Sequence, residues 1–252
     1  MKIVISSDWH LDAMTAGVPR SAELESYLDA LEETIDAQDI TAAILCGDFF
    51  DPGGMRAHEL TTVLIQAVGR LARHLESLVI IAGNHDVVES SEGWTTLSPL
   101  AAAVSTFGGE MGACDVWVAE RPGFRPVYGA HTPASVGVLA LPYTARAVDA
   151  RADLAAAIEE ASGFAGSLIV AAHMTVPGAA LGSESKELAR GRDLDLPIDT
   201  LAELRPRFVF NGHYHRAQVV PGPVPVVIPG SPWRITFGEA GDVDKGFLVV
   251  EV

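Results

Sequence analysis

The residues able to do chemistry in this sequence fall in five short blocks. They are Asp8-x-His10, Gly47-Asp48-x-x-Asp51, Gly83-Asn84-His85-Asp86, His173 and Gly212-His213-x-His215. Five of the eight histidines lie in them. Imidazole, carboxylate and amide oxygen, with no thiolate, is the ligand mix of hard-to-borderline divalent ions such as Mn²⁺, Fe²⁺, Mg²⁺ or Zn²⁺. On extended backbone the two-residue spacing of Asp8 and His10, and of His213 and His215, puts each pair on one side of the chain. The same alternation turns Trp9 away from them, into packing. Glycines at 47, 83 and 212 let the chain turn sharply and approach closely where each block begins. Any one block alone reads as a polar turn at a strand end. Five such blocks together, each where an apolar run stops, have no other shared reason to occur.

The elements that must position these blocks are short apolar runs. Ile3–Ile5, Ile40–Cys46 and Leu78–Ala82 read as buried strands, each stopping at one of the blocks. Between them, Leu24, Leu28, Leu31 and Ile35 recur on one helical face, with Ser21 as N-cap. Leu60, Val63, Leu64, Ala67, Val68, Leu71 and Leu75 form a second stripe. The first third is therefore β-α-β-α-β, and in such α/β sheets ligands bind at the carboxyl ends of strands. Further on, Ser98–Phe107 and Arg151–Ala161 read as helices. Asp115–Ala119, Arg125–Gly129, Val136–Pro142, Ser167–Ala172, Arg207–Phe210, Gln218–Val220, Val224–Ile228 and Gly246–Val250 read as strands. Val176–Leu196 has Gly, Ser and charge without period, and reads as a loop beside the site. No repeat, low-complexity tract or linker interrupts the pattern, so residues 1–252 are expected to form one domain.

Composition removes several classes. The chain has 252 residues, with 17 Lys plus Arg against 33 Asp plus Glu, for a formal charge of −16. The pI is near 4.7. A purely electrostatic nucleic-acid binder is excluded, because that charge repels phosphate unless it is locally reversed. Two cysteines exclude a disulfide scaffold. Mean hydropathy is +0.25, yet no apolar run approaches the roughly 18 residues of a membrane helix. The first residues enter a strand pattern with no signal-peptide layout. The expectation is a cytoplasmic protein with reduced thiols and no membrane association.

Taken in order, the five blocks resemble those of the calcineurin-like metallophosphoesterases. Ser-Asp-Trp-His-Leu (7–11), Gly-Asp-Phe-Phe-Asp (47–51) and Pro-Gly-Ser-Pro-Trp-Arg-Ile-Thr-Phe-Gly-Glu (229–239) narrow the resemblance to the SbcD subfamily, DNA repair nucleases that work with an SMC-like ATPase. The resemblance implies a four-layer α-β-β-α sandwich with two mixed sheets. It also implies two divalent metals, with Mn²⁺ the first choice. Asp8, His10, Asp48 and His215 would hold one; Asp48, Asn84, His173 and His213 would hold the other, with Asp48 bridging. His85 would be the non-ligand histidine that stabilises the transition state and protonates the leaving oxygen. Asp51 would hydrogen-bond His85 and hold it cationic, and Asp86 would support the ligands from behind or cap a backbone turn. The reaction implied is hydrolysis of a phosphodiester by in-line attack of metal-bound hydroxide.

Arg216, directly after His215, is the first candidate for a substrate phosphate. Lys186, Arg190 and Arg192 are as readily a solvated face as a second such contact. The expected partners are DNA as substrate and an SbcC-type ATPase, with a homodimer also allowed for. SbcD-type nucleases continue past the Gly-Ser-Pro block into a DNA-capping domain, so this chain reads as the catalytic core alone. The rival reading is a small-substrate enzyme on the same scaffold: a cyclic-nucleotide phosphodiesterase, nucleotide pyrophosphatase or phosphatase. Acidity favours the rival, and the 229–239 block favours the nuclease. A non-enzymatic scaffold that recruits an ATPase could dispense with Asp51 and His85, and both are present.

Overall fold

A computed structural model describes residues 1–20, 22–50, 57–88, 94–106, 108–129, 132–143, 147–182, 194–242 and 245–252. The Ser21 N-cap, Asp51, Lys186, Arg190, Arg192 and the end of the predicted helix at Phe107 lie outside the described residues.

Two six-stranded sheets face one another. The first holds β1 (Lys2–Ser6), β4 (Ala42–Cys46), β5 (Ser77–Ile81), β6 (Glu110–Met111), β7 (Cys114–Ala119) and β14 (Leu248–Glu251), in the order β14-β1-β4-β5-β7-β6. The second holds β8 (Gly123–Gly129), β9 (Thr132–Leu141), β10 (Ser167–Ala172), β11 (Phe208–Asn211), β12 (Gln218–Val220) and β13 (Val226–Ile228), in the order β12-β13-β11-β10-β9-β8. Each is mixed: the inner strands run parallel, and the edges β14, β6, β12 and β8 pair antiparallel. A small ribbon of β2 (Met14–Thr15) and β3 (Val18–Pro19) stands apart from both sheets.

The period-2 alternation of strands decides what each layer touches. Ile3, Ile5, Ile44 and Ile81 of the first sheet meet Val138, Ile169 and Phe210 of the second in the core between them. The alternate residues Val4, Leu45, Leu78 and Ile80 face outward. There they pack on α1 (Ala22–Ala37), α2 (Ala57–Leu71) and α3 (Ser98–Thr106) through Leu28, Leu31, Leu64, Val68, Leu71 and Leu100. On the opposite side Leu139, Val170 and Val209 meet α4 (Ala147–Ser162) and α5 (Ile198–Glu203) through Ala157, Ala161 and Leu201. Three apolar layers between four layers of structure make the α-β-β-α sandwich. Strands buried on both faces are continuous apolar runs, which is why they stand out in the sequence.

On the first helical layer, Arg70 of α2 holds three carboxylates of α1. Its guanidinium reaches Glu32 at 2.7 Å, Glu25 at 2.8 Å and Asp29 at 2.7 Å. The helix α5 and the two-residue strands β2, β3 and β6 have no counterpart in the sequence reading. The sequence-predicted strands otherwise match with end shifts of a few residues, the largest at β9, which begins at Thr132 instead of Val136.

Trp9 closes the bottom of the site. It is fully buried, stands edge-on to Tyr27 and Phe49 with ring centroids 5.8 Å and 5.5 Å away, and donates its indole N–H to Ser6 Oγ at 2.8 Å. Replacing it leaves a cavity and removes one of the two hydrogen bonds of the Ser6 hydroxyl, which keeps Tyr27 Oη at 2.6 Å. Trp9→Ala is expected to cost about 3–5 kcal/mol, read as a lower urea midpoint in the metal-free protein. A loss below about 1 kcal/mol, the scale of a surface change, would remove Trp9 as an anchor of the fold.

Candidate metal centre

The parallel strands of both sheets end on the same side. Asp8 and His10 follow β1, Asp48 follows β4, Asn84 and His85 follow β5, His173 follows β10, and His213 and His215 follow β11. Two buried groups of ligand-type side chains result: Asp8 with His10 and His215, and Asp48 with His173 and His213, each with donor atoms within 4.8 Å of one another. Asp48 lies between the groups. Its Oδ2 is 3.2 Å from His173 Nε2 and 3.9 Å from His10 Nε2. Asn84 Oδ1 joins the second group, 3.0 Å from His173 Nε2.

The backbone route to this geometry differs from simple alternation. Period 2 predicts extended chain through Asp8-x-His10 and His213-x-His215. Instead Asp8, His10, Asp48 and His213 all have positive φ, at 55°, 41°, 55° and 77°. The left-handed turns begin right after β1, β4 and β11 end, and His213 and His215 serve different groups. Trp9 is driven inward by the turn rather than by a strand. Four non-glycine residues in this sparsely populated region are strain stored at a functional site.

Surrounding contacts hold that strain. Asp8 N donates to Gly47 O at 2.9 Å, and His10 N to Asp48 O at 3.0 Å. His213 N donates to Asp8 Oδ1 and His85 N to Asp48 Oδ1, both at 2.9 Å. The buried Asp86 carboxylate accepts from Asp48 N (3.0 Å), Gly83 N (2.8 Å) and Phe49 N (3.1 Å), so it acts as a cap on two of the turns. Burial and the nearby Asp48 carboxylate push it up to about 7 against those N–H donors. Gly83 is required by space: a Cβ there would sit 2.8 Å from Asp48 Cγ.

The donor atoms fit cations. Asp8 Oδ2 is buried without a hydrogen-bond partner. His10 Nε2 and His215 Nε2 face each other at 3.1 Å. His173 Nδ1 is 2.8 Å from Cys46 O, a contact that leaves its Nε2 as the ligand nitrogen. Burial resists ionisation of Asp48, but His173, His85 and His10 outweigh it and hold the carboxyl well below its usual range. Burial likewise resists charging His173, yet Asp48 and Asp8 raise it to about 9. Positive charge is what these carboxylates draw in. The centre therefore provides two divalent-metal sites built from nitrogen and oxygen ligands.

Two sequence-predicted residues flank the ligands. The half-buried His85 ring lies 5.0 Å, centroid to centroid, from that of His10. Arg216 is exposed beside His215. Glu239 and Lys245 also reach the centre, and the sequence reading gave neither a role. Their signal was faint: a carboxylate closing the 229–239 block and a lone lysine six residues on.

Two facing mixed sheets with a pair of metal sites at the strand ends define a metal-dependent phosphoesterase. The chain belongs to the calcineurin-like phosphoesterase family, whose profile matches residues 1–217. Among curated proteins it is similar to the SbcD component of nuclease SbcCD from Escherichia coli K12, 27% identical over 264 residues, covering 96% of this chain and 62% of that protein. The corresponding SbcD component from Rhodobacter capsulatus is 29% identical over 279 residues, covering 100% of this chain and 66% of that protein. The chain thus spans a little under two thirds of the length of these relatives. A dimetal phosphatase from Danio rerio shares the fold, with a TM-score of 0.55, 8% identity, and coverage of 99% of this chain and 91% of that one. Among the described residues no helix is long and apolar enough to cross a membrane.

The position of Asp48 between the groups sets an expectation. Asp48→Ala should lose both ions and all turnover. His10→Ala should keep the ion on the His173 side. Mn²⁺ counted by metal analysis after gel filtration checks this, and a wild-type protein that retains at most one ion per chain refutes the two-site assignment.

Proposed function

We propose that this chain is the single-domain catalytic core of a cytoplasmic SbcD-type nuclease, hydrolysing phosphodiester bonds in DNA with Mn²⁺ and working with an SMC-like ATPase of the SbcC type. The observation that carries the reading is the place of the 229–239 block. Ser7 Oγ donates to Gly230 O at 3.2 Å, and Ser231 N donates to His215 O at 3.1 Å. The stretch that marks the subfamily thus packs on the residues that neighbour and include metal ligands. Two relatives aligned over nearly the whole chain are components of a nuclease.

In this reading Asp8, His10, Asp48, Asn84, His173, His213 and His215 hold the cations, with Asp48 shared. When bound, the cations orient the scissile phosphate, activate water and offset the charge that builds on the phosphoryl oxygens. His85 has its backbone tied to Asp48 Oδ1, and a ring nitrogen gives a proton to the leaving oxygen. Arg216 meets the phosphate next along the strand.

Charge favours the second reading, a small-substrate phosphoesterase. Two divalent cations bring the formal charge from −16 only to −12, still repulsive to a long polyanion. The nuclease reading therefore requires local contacts and a flexible substrate, a single strand or a frayed end, rather than the interior of a stiff duplex.

His85→Ala should keep both ions and lose about 10²–10⁴-fold in kcat; near wild-type turnover would take His85 out of the mechanism. For the substrate, a Mn²⁺ panel of single-stranded DNA, duplex DNA, a cyclic nucleotide, an aryl phosphodiester and a phosphomonoester decides. Weak cleavage of single strands and ends, suppressed by salt as counterions are released, supports the nuclease. Arg216→Ala should then lower DNA cleavage more than aryl phosphodiester hydrolysis. Efficient turnover of the cyclic nucleotide or monoester with every DNA left intact establishes the second reading instead.

A further inference from the structure

A carboxylate–ammonium pair grips His215 from behind. Glu239, 1% exposed, points Oε1 at His215 Nδ1, 3.3 Å away. It also accepts from Thr236 N and Ile235 N, both at 3.2 Å. Lys245 Nζ is 2.7 Å from Glu239 Oε2, with its side chain 8% exposed. The same Nζ donates to the His215 carbonyl at 2.8 Å and to Ser231 Oγ at 2.7 Å. Asp242 Oδ2, at 3.5 Å, is a second, looser carboxylate on the ammonium. One ion pair thus holds a single histidine at both its ring and its carbonyl.

Stability alone is a poor account of this pair. Taking two charges out of water offsets much of their attraction, and apolar residues of similar volume often do as well. Its geometry does something apolar residues cannot. A carboxylate at Nδ1 accepts that N–H, so the proton stays on Nδ1 and Nε2 is the ring nitrogen that can ligate a cation. Nε2 is the atom that faces His10 Nε2, 3.1 Å away, in the group with Asp8.

We propose that Glu239 and Lys245 are positioning residues for the metal ion held by Asp8, His10 and His215. Glu239 fixes the tautomer and direction of the His215 ring. Lys245 balances the Glu239 charge and pins the His215 backbone. The Pro229–Glu239 block is then the outer support of one metal site, whatever substrate the enzyme takes. The inference rests on the two-metal reading of the centre and not on the DNA reading.

The test compares wild type, Glu239→Gln and Lys245→Met. A glutamine at 239 has one acceptor oxygen. Lys245 takes it, so the amide N–H₂ faces His215 Nδ1 and favours the wrong tautomer. Histidine ¹⁵N spectra of the metal-free protein should show the His215 proton on Nδ1 in wild type and moved to Nε2 in Glu239→Gln. Mn²⁺ titration followed by electron paramagnetic resonance should show one of two ions weakened about 10–100-fold and the other unchanged. Lys245→Met keeps the carboxylate and releases the carbonyl, so it should weaken the same ion less. The inference is overturned if either folded variant binds both ions as wild type does, or if both ions weaken together, as a general loss of structure would cause. Wild-type protein that binds fewer than two Mn²⁺ overturns the two-metal reading itself.

Discussion

Two carboxylates, Asp8 and Asp48, are buried at the ends of neighbouring parallel strands. Their charges repel each other and neither meets water, so this crevice is stable only if positive charge comes to it. The rest of the site follows from that need. Backbone N–H groups of His213 and His85 point at one oxygen of each carboxylate. Four histidines, His10, His173, His213 and His215, gather about the two carboxylates, and Asp8 Oδ2 is left to a cation. The left-handed turns at Asp8, His10, Asp48 and His213 are the local cost, since each turn aims a side chain at the crevice that extended chain would send elsewhere.

Such strain persists only where the surroundings over-determine it. Asp86 gathers N–H groups from the turns after β4 and β5. The turn after β1 is stitched to the chain around Asp48 by three backbone bonds, to Gly47 O, Asp48 O and Phe49 O. Trp9 plugs the space below, between Tyr27 and Phe49. The sandwich thus acts on function through rigidity: three apolar layers fix the strand ends, and the strand ends fix the ligands. A site spread over loops would have no comparable frame for holding donor atoms within 4.8 Å.

The strands were legible in the sequence because both their faces are buried, so each is an apolar run stopped by glycine and a polar block. The two helical stripes on the first sheet were legible by their period. The helix Ile198–Glu203 was not: it spans six residues and has no side-chain cap. The tiny strands at 14–19 and 110–111 carry no pattern at all. The ligand types were visible in the five blocks, but the turns that aim them were not, because Asp and His in left-handed backbone leave no mark as glycine does. The Glu239–Lys245 support was out of reach for another reason. Lys245 meets the carbonyl of a residue 30 positions away, and nothing local in the chain announces such a contact.

The overall acidity and the chemistry of the centre pull in opposite directions, and distance decides between them. At 0.15 M salt, charges are screened beyond about 8 Å, so most of the 33 acidic side chains act weakly on a phosphate already seated at the strand ends. There the sign is set by the two cations that the centre is built to hold. Farther along a long substrate the acidic surface dominates again. An anion that is short, or flexible enough to bring one phosphate in while the rest bends away, meets the favourable field and little of the unfavourable one. A rigid duplex must lie along the surface and meets both. A basic partner surface removes that penalty without touching the centre, which is why a nuclease reading of so acidic a core implies a partner, whereas a small-substrate reading needs none.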